Sequence, residues 1–224
     1  MLRHSMTRGN LEGRYIGCRT DEPLCREGIR LLKSRTYPAV DRIYASPMKR
    51  CVETAQVIWD CMGNRFADRT ENQGNPAAHK ISITLVPKLR ECDFGYFENK
   101  NYEELNGDPL YQAWIDSNGT LPFPGGESME EFKRRCQAGF SEVVREIAEL
   151  EAETARGTGK GKGTTKTDSA LCVALVVHGG TIMAVLNHFG FPKKDYFDYQ
   201  VKNGCGYVLT PAEGTELWNY QCLP

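Results

Sequence analysis

The opening stretch LRHSMTRGN (residues 2–10) decides how this chain folds. Two apolar residues, Met1 and Leu2, run straight into a cationic and imidazole pair, Arg3 and His4, as a buried strand would on reaching its reactive end. The same junction recurs at two other places. DRIYASPMKRCVETA (41–55) carries a short apolar run toward Arg50, and LCVALVVHGGT (171–181) carries one into His178. In an open α/β sheet, ligands bind beyond the carboxyl ends of parallel strands. Three such tips meeting in one crevice would line it with positive and hydrogen-bond-donating groups.

Working outward, ISITLV (81–86), GYVLT (206–210) and a terminal TELWNYQC (215–222) have the length and residue types of further strands. Helical stretches at about 25–36, 48–62, 128–154 and 180–189 fall between the strands. The alternation predicts an α/β fold with a mostly parallel central sheet and helices on both faces. The helix from Ser128 has the firmest local support. Ser128 and Glu131 form a capping box, and Phe132, Cys136, Phe140, Val143, Ile147 and Leu150 recur at three- and four-residue spacings, which is a core stripe.

Residues 95–126, with Pro109, Pro122 and Pro124 and the PGG turn, break the rhythm and are expected to form an insertion that caps a site. A helix over 102–118 is expected inside it, carrying Tyr102, Tyr111 and Trp114. The Gly/Lys/Thr-rich stretch 155–169 is expected to be a flexible linker. It lacks the Gly-Lys-Ser/Thr triplet of a phosphate loop and runs from a helix into a strand, the reverse of that motif's context. No internal repeat is visible.

With 224 residues, 40% of them hydrophobic, the chain is long enough to bury one full core, and residues 1–224 are read as a single domain. A formal net charge of -1 supplies no broad cationic field for nucleic acid or an anionic membrane, so any anion site must be local. No apolar run reaches the roughly 18 residues of a membrane span. Nine cysteines, none in a C-x-x-C pair, read as free thiols in a reducing, cytoplasmic setting.

The junction residues themselves have the chemistry of a phosphate cradle. Ser46 suits an N-cap and Pro47 a first helical position, which would set Arg50 one turn into a helix whose free N–H groups face the sheet edge. After His178, Gly179 and Gly180 allow backbone to come close to a ligand. His79 and His188 have no such company and are read as structural.

Taken together, these segments resemble the histidine phosphatase superfamily, also called phosphoglycerate mutase-like. LRHSMTRGN is similar to R-H-G-x-T-x-x-N, RYIGCRTDEPLCREG to R-Y-x-G-x-x-D-x-P-L-x-x-x-G, and ASPMKRCVETA to S-P-L-x-R-A-x-x-T-A. LRECDFGYFE is similar to L-x-E-x-D-F-G-x-W-E-G, followed by PGGES and the second histidine motif VVHGGT. The resemblance implies a catalytic set of His4 as nucleophile, His178 beside it and Glu91 as general acid. Glu91 should then have a raised pKa, since an acid ionised at neutral pH has no proton to give. Arg3, Thr7, Asn10, Arg50 and Gly179 would bind the phosphoryl group, with no metal and no cofactor.

The resemblance implies a small phosphorylated metabolite as substrate, turned over by a monomer or homodimer. DFGYFE is closer to the phosphatase branch, including α-ribazole phosphatase-like members, than to the H-Y-G-x-L-Q-G of the mutases. Mutase-type phosphoryl transfer, or a phosphate-binding module without turnover, are the alternatives. Ser5, Phe97 and Asn99 stand where the pattern has Gly, Trp and Gly, and Ser5 is expected to narrow the pocket or donate a hydrogen bond. Members also carry several apolar residues ahead of the Arg-His pair, so a first strand of Met1 and Leu2 alone is expected to lower stability.

Overall fold

The computed structural model describes residues 1–66, 82–157 and 171–223. Four parallel strands, β1 (Leu2–Arg3), β2 (Arg42–Ala45), β3 (Ile83–Leu85) and β4 (Val173–Val177), form a sheet in the order β1-β4-β2-β3. The register aligns Leu2 and Ala45 with Val176, and Arg3 with Val177. The carboxyl ends of β1, β2 and β4 are therefore level, and His4, Ser46 and His178 emerge side by side. A second sheet holds β5 (Gly190–Phe191) parallel to β7 (Trp218–Cys222), with β6 (Tyr207–Pro211) antiparallel to β7.

The helices are α1 (Arg8–Leu11), α2 (Arg26–Lys33), α3 (Lys49–Phe66), α4 (Tyr102–Leu105), α5 (Pro109–Asp116), α6 (Met129–Gly157) and α7 (Gly179–Phe189). Strand side chains alternate between faces, and each face has its own core. Tyr44, Leu175 and Val177 pack with Phe132, Cys136, Phe140 and Val143 of α6 and Ile182, Val185 and Leu186 of α7. Ile43, Ala45 and Val176 pack with Leu32 of α2 and Cys51, Ala55 and Ile58 of α3. This is the α/β sheet covered on both faces that the alternation of elements predicts. Of the expected stripe on α6, Phe132, Cys136, Phe140 and Val143 are buried while Ile147 and Leu150 are half-buried, and its capping box is present, Ser128 Oγ accepting from Glu131 N at 3.2 Å and Glu131 Oε2 from Ser128 N at 3.0 Å.

Two local expectations need correction. The helix bearing Arg50 starts at Lys49, not at a Ser46 cap. Asp21 Oδ1 accepts the Lys49 N–H at 2.7 Å and takes the capping role. The helix expected over 102–118 is two helices, α4 and α5, parted at Gly107, whose φ of +80° no helix accommodates. Asp108 caps α5 through Leu110 N and Tyr111 N, with Pro109 at its first position. β1 is short and is paired on both sides. Beyond β4, Arg3 N donates to Cys205 O at 2.9 Å and Tyr207 N to Met1 O at 2.9 Å. The linker expected over 155–169 lies outside the described residues from 158 on.

Candidate active site

His4 follows β1 directly and its N–H donates to Val177 O at 2.8 Å, so sheet pairing continues up to this residue. Its Nδ1 stands 2.7 Å from Ser5 O. A carbonyl can only accept, so Nδ1 carries the proton and Nε2 presents a lone pair. His178 begins α7, and its ring meets that of His4 edge to face, with centroids 5.2 Å apart. The two imidazoles that the sequence placed at separate strand tips share one crevice. Both are buried, at 3% and 0% exposure.

Ser46 Oγ lies 2.7 Å from His178 Nε2 and accepts from Met48 N at 3.4 Å. Cys51 Sγ also lies against the ring, 3.6 Å from Nε2 and 3.8 Å from Nδ1. Nδ1 faces Glu91 Oε2 at 3.9 Å. Burial, with Arg50, His4 and Arg3 adding to it, holds the His178 pKa well below its usual value, so this contact joins a neutral ring to a carboxyl and is not an ion pair. His4 is likewise held well below its usual value, by burial first and then by Arg50 and Arg3.

Arg50 is fully buried. Its Nη1 donates to Thr20 O at 3.0 Å, and its Nη2 donates to Gly17 O at 3.0 Å and Ile16 O at 3.3 Å. Arg3 Nη1 donates to Val201 O at 2.7 Å. In each guanidinium the buried Nε has no partner. Two buried, charged N–H donors beside two neutral imidazoles have the chemistry to bind an anion. The glycines at the start of α7 keep it open. A Cβ on Gly179 would come within 3.3 Å of Arg3 Nε, and one on Gly180 within 3.0 Å of Glu91 Oε1.

Glu91 is 9% exposed, and burial raises its pKa above the usual carboxylate range. The Cys92 N–H, 3.0 Å from Oε1, and the guanidiniums of Arg50, Arg3 and Arg135 oppose that shift without cancelling it. Thr7 and Asn10 are used differently. They cap α1 reciprocally, Thr7 Oγ1 accepting from Asn10 N and Asn10 Oδ1 from Thr7 N, each at 3.2 Å. The Asn10 amide NH₂ is the group this leaves for a ligand. Ser5 does not narrow the crevice, because its buried Oγ donates to Gly28 O at 2.8 Å, on α2.

Sequence reasoning missed Asn203, whose Nδ2 bridges His4 O at 3.0 Å and Asn10 Oδ1 at 3.3 Å, with the Gly204 N–H closing on Arg3 O at 3.1 Å. The Asn-Gly pair in VKNGCG was the available signal, a turn directly before a strand. Of the histidines set aside, His188 meets Phe189 edge to face in the last turn of α7, roughly 15 Å from His178 by helix rise, and His79 lies outside the described residues. Phe97, in place of Trp, is fully buried and meets Tyr111 at 5.3 Å and Trp114 and Phe123 at 5.9 Å. Asn99, in place of Gly, has φ of 59°, a conformation that asparagine tolerates better than most side chains.

Among the described residues no group of three or more His, Cys, Asp or Glu side chains could hold a metal ion, and no helix is long and apolar enough to cross a membrane.

Residues 1–221 match the family model of the histidine phosphatase superfamily (branch 1). The chain belongs to that superfamily, and is therefore an enzyme of the histidine phosphatase class. It is 26% identical over 193 residues to the "Putative phosphoserine phosphatase 2" of Hydrogenobacter thermophilus, covering 83% of this chain and 75% of that one. It is 29% identical over 153 residues to the "Probable phosphoglycerate mutase GpmB" of an Enterobacter species, covering 65% of this chain and 62% of that one. The crystal structure of the α-ribazole phosphatase from Shigella flexneri superposes with a TM-score of 0.65 at 19% identity, covering 99% of this chain and 93% of that one. That likeness establishes the fold.

Proposed function

We propose that the chain is a metal-independent phosphomonoesterase that hydrolyses a small phosphorylated metabolite through a phosphohistidine on His4. The observation that carries this reading is the pair of unpartnered, buried guanidinium Nε groups of Arg3 and Arg50 beside the His4 ring. His4 Nε2, unprotonated, attacks phosphorus, and the bond to the ester oxygen breaks. Arg3, Arg50 and the His178 imidazole hold the equatorial oxygens, where charge spreads in the transition state. The amide of Asn10 and the α7 start at Gly179 complete the donor set, and Thr7 shapes the turn that presents Asn10.

Glu91, protonated by virtue of its burial, gives its proton to the leaving alkoxide. The resulting carboxylate takes a proton from the water that attacks phosphohistidine, which returns both groups to their starting state. All the positive charge in the scheme is supplied by the chain's own arginines. Residues 95–126, including the aromatic cluster around Phe97, are read as the cap that selects the organic part of the substrate. A cytoplasmic setting belongs to the same reading, supported by eight described cysteines that are all free thiols.

The test is hydrolysis of p-nitrophenyl phosphate without added metal, blocked by vanadate, followed by a screen of phosphorylated sugars, phosphoglycerates, nucleotides, phosphoserine and α-ribazole 5′-phosphate. A protein that hydrolyses none of them is not a phosphatase of this class. The relative named as a phosphoglycerate mutase favours a second reading, phosphoryl transfer between positions of a phosphoglycerate. Interconversion of the 2- and 3-phosphates outpacing phosphate release would establish it.

A further inference from the structure

We propose that Glu98 is a positioning residue for phosphoryl binding, aiming Arg50 through the loop Ile16–Thr20; the inference rests on the phosphate-site reading above. Glu98 follows the 3₁₀ turn Gly95–Phe97, seven residues after Glu91 on the same segment. Its Oε1 accepts backbone N–H groups from Gly17 at 3.0 Å, Arg19 at 3.1 Å and Thr20 at 2.8 Å. The carbonyls that hold Arg50 are those of Ile16, Gly17 and Thr20, in the same loop.

The connection is direct at one peptide plane. The N–H and C=O of a trans peptide point in opposite directions. The Ile16–Gly17 unit gives its N–H to Glu98 and its C=O to Arg50, so it is strung between the two side chains. Three carbonyls occupy three of the five guanidinium N–H donors, and the unpartnered Nε is among those left over. The carboxylate thereby determines which edge of Arg50 is left for an incoming oxyanion. Gly17 permits the approach, because a Cβ there would lie 2.4 Å from Glu98 Oε2 and 2.3 Å from Cys92 O. Arg19 ties the loop to the same segment through Asp93, at 2.7 Å.

A residue that only stabilised the fold would lower the melting temperature and leave phosphate affinity alone. The experiment measures kcat/KM on p-nitrophenyl phosphate and the Kd of inorganic phosphate by calorimetry for Glu98→Ala, Glu98→Asp, Glu98→Gln, Arg50→Ala and the Glu98→Ala/Arg50→Ala pair. Glu98→Ala is expected to weaken phosphate binding and kcat/KM by about 10-fold, a size typical of a residue acting behind a binding group. Glu98→Gln, whose amide oxygen still accepts, should recover most of that loss. Glu98→Asp, one methylene short of the loop, should behave as Glu98→Ala and serves if the alanine variant fails to fold.

In the Arg50→Ala background, Glu98→Ala should cost nothing further, because the two act as one unit. Unchanged phosphate affinity in both Glu98→Ala and Glu98→Asp, or losses that multiply in the pair, would overturn the proposal. A wild-type protein that binds phosphate with the expected coupling but hydrolyses nothing refutes the phosphatase reading and leaves this inference standing. One that binds no phosphate refutes both.

Discussion

His178 Nδ1 stands 3.9 Å from Glu91 Oε2, with the ring of His4 edge-on to the same imidazole at 5.2 Å. Three titratable groups thus share one buried volume, and burial pushes all three toward their neutral forms. The remaining charge comes from Arg3 and Arg50. A phosphoryl dianion balances these two cations, which is why the crevice suits an anion when the chain as a whole carries a net charge of only -1.

The nucleophile role proposed for His4 gives the first prediction. His4→Ala should lower kcat by about 10³-fold or more, the scale on which removing a covalent nucleophile acts. Wild-type protein quenched during turnover should carry phosphate that is labile to acid and stable to alkali, and the variant should carry none. Full activity in His4→Ala would end the covalent scheme.

Glu91 should show its role through the leaving group. Glu91→Gln is expected to cost about 10²- to 10⁴-fold on alkyl phosphates. The loss should be much smaller on p-nitrophenyl phosphate, whose leaving group departs without a proton. Since the acid form is the active one and its pKa is raised, kcat/KM on alkyl phosphates should fall as pH rises through that pKa. Stability has the same sign. The unfolded carboxyl ionises near its ordinary value while the folded one stays protonated, so Glu91 costs stability as pH rises, and Glu91→Gln should melt higher at neutral pH. A uniform loss on both substrates would remove the acid role.

How much of this could be read in advance depends on how far apart the interacting residues lie in the chain. The three strand tips were legible because each is a local event, an apolar run abutting Arg3-His4, Ser46 or His178. The split between α4 and α5 is also written locally, in the Asn-Gly-Asp-Pro run at 106–109, which a single helix over 102–118 passes over. Ser46 does not cap the helix: N-cap preference is a local rule, and the acceptor that takes the role, Asp21, lies 28 residues from Lys49. Asn203 reaches His4 across 199 residues and Glu98 reaches Gly17 across 81, distances over which spacing carries no signal.

Ser5→Gly restores the residue of the family pattern and should make the protein worse. The Ser5 Oγ bond to Gly28 O joins the loop after His4 to α2, and it is buried. Its loss, with the added backbone freedom of glycine, should cost about 1–3 kcal/mol. Because the side chain points away from the crevice, kcat/KM should stay within about two-fold, the margin of a change that spares the reacting groups. A thermal melt beside a kinetic assay decides the matter, and a large kinetic change without a stability change would contradict the geometry.

The buried histidines also govern acid stability. Both have folded pKa values well below 6.5, so only the unfolded chain takes up their protons as pH falls past 6.5. The stability they contribute is present above that pH and is lost below it, by up to about 1.4 kcal/mol per pH unit for each histidine. The melting temperature should drop between pH 6.5 and 5, and His178→Gln should flatten the drop. A bound phosphate analogue such as vanadate, favouring the folded state, should raise the whole curve.

The amino terminus offers the last prediction. β1 meets only the final two residues of β4, and beyond it a cavity of about 510 Å³ opens between β4 and β6, lined by Val173, Leu175, Leu209, Phe140, Ile147 and Trp218. The Met1 ammonium faces Tyr207 O at 2.7 Å, and burial lowers its pKa from 8.0 to about 5. The amine therefore withdraws stability as pH falls from 8 toward 5, because the unfolded chain protonates it first. Four β-branched residues added ahead of Met1 would run parallel to β4, fill the space with aliphatic side chains and turn the amine into an amide. At about 1.5–3 kcal/mol for each side chain fully buried, and about 2–4 °C per kcal/mol in a chain of this size, partial filling should raise the melting temperature by about 5 °C or more. The extended protein should also lose part of its pH dependence between 8 and 5. Four added Ser or Gly residues should do neither, and an equal gain from them would show that the cavity is not a seat for a strand.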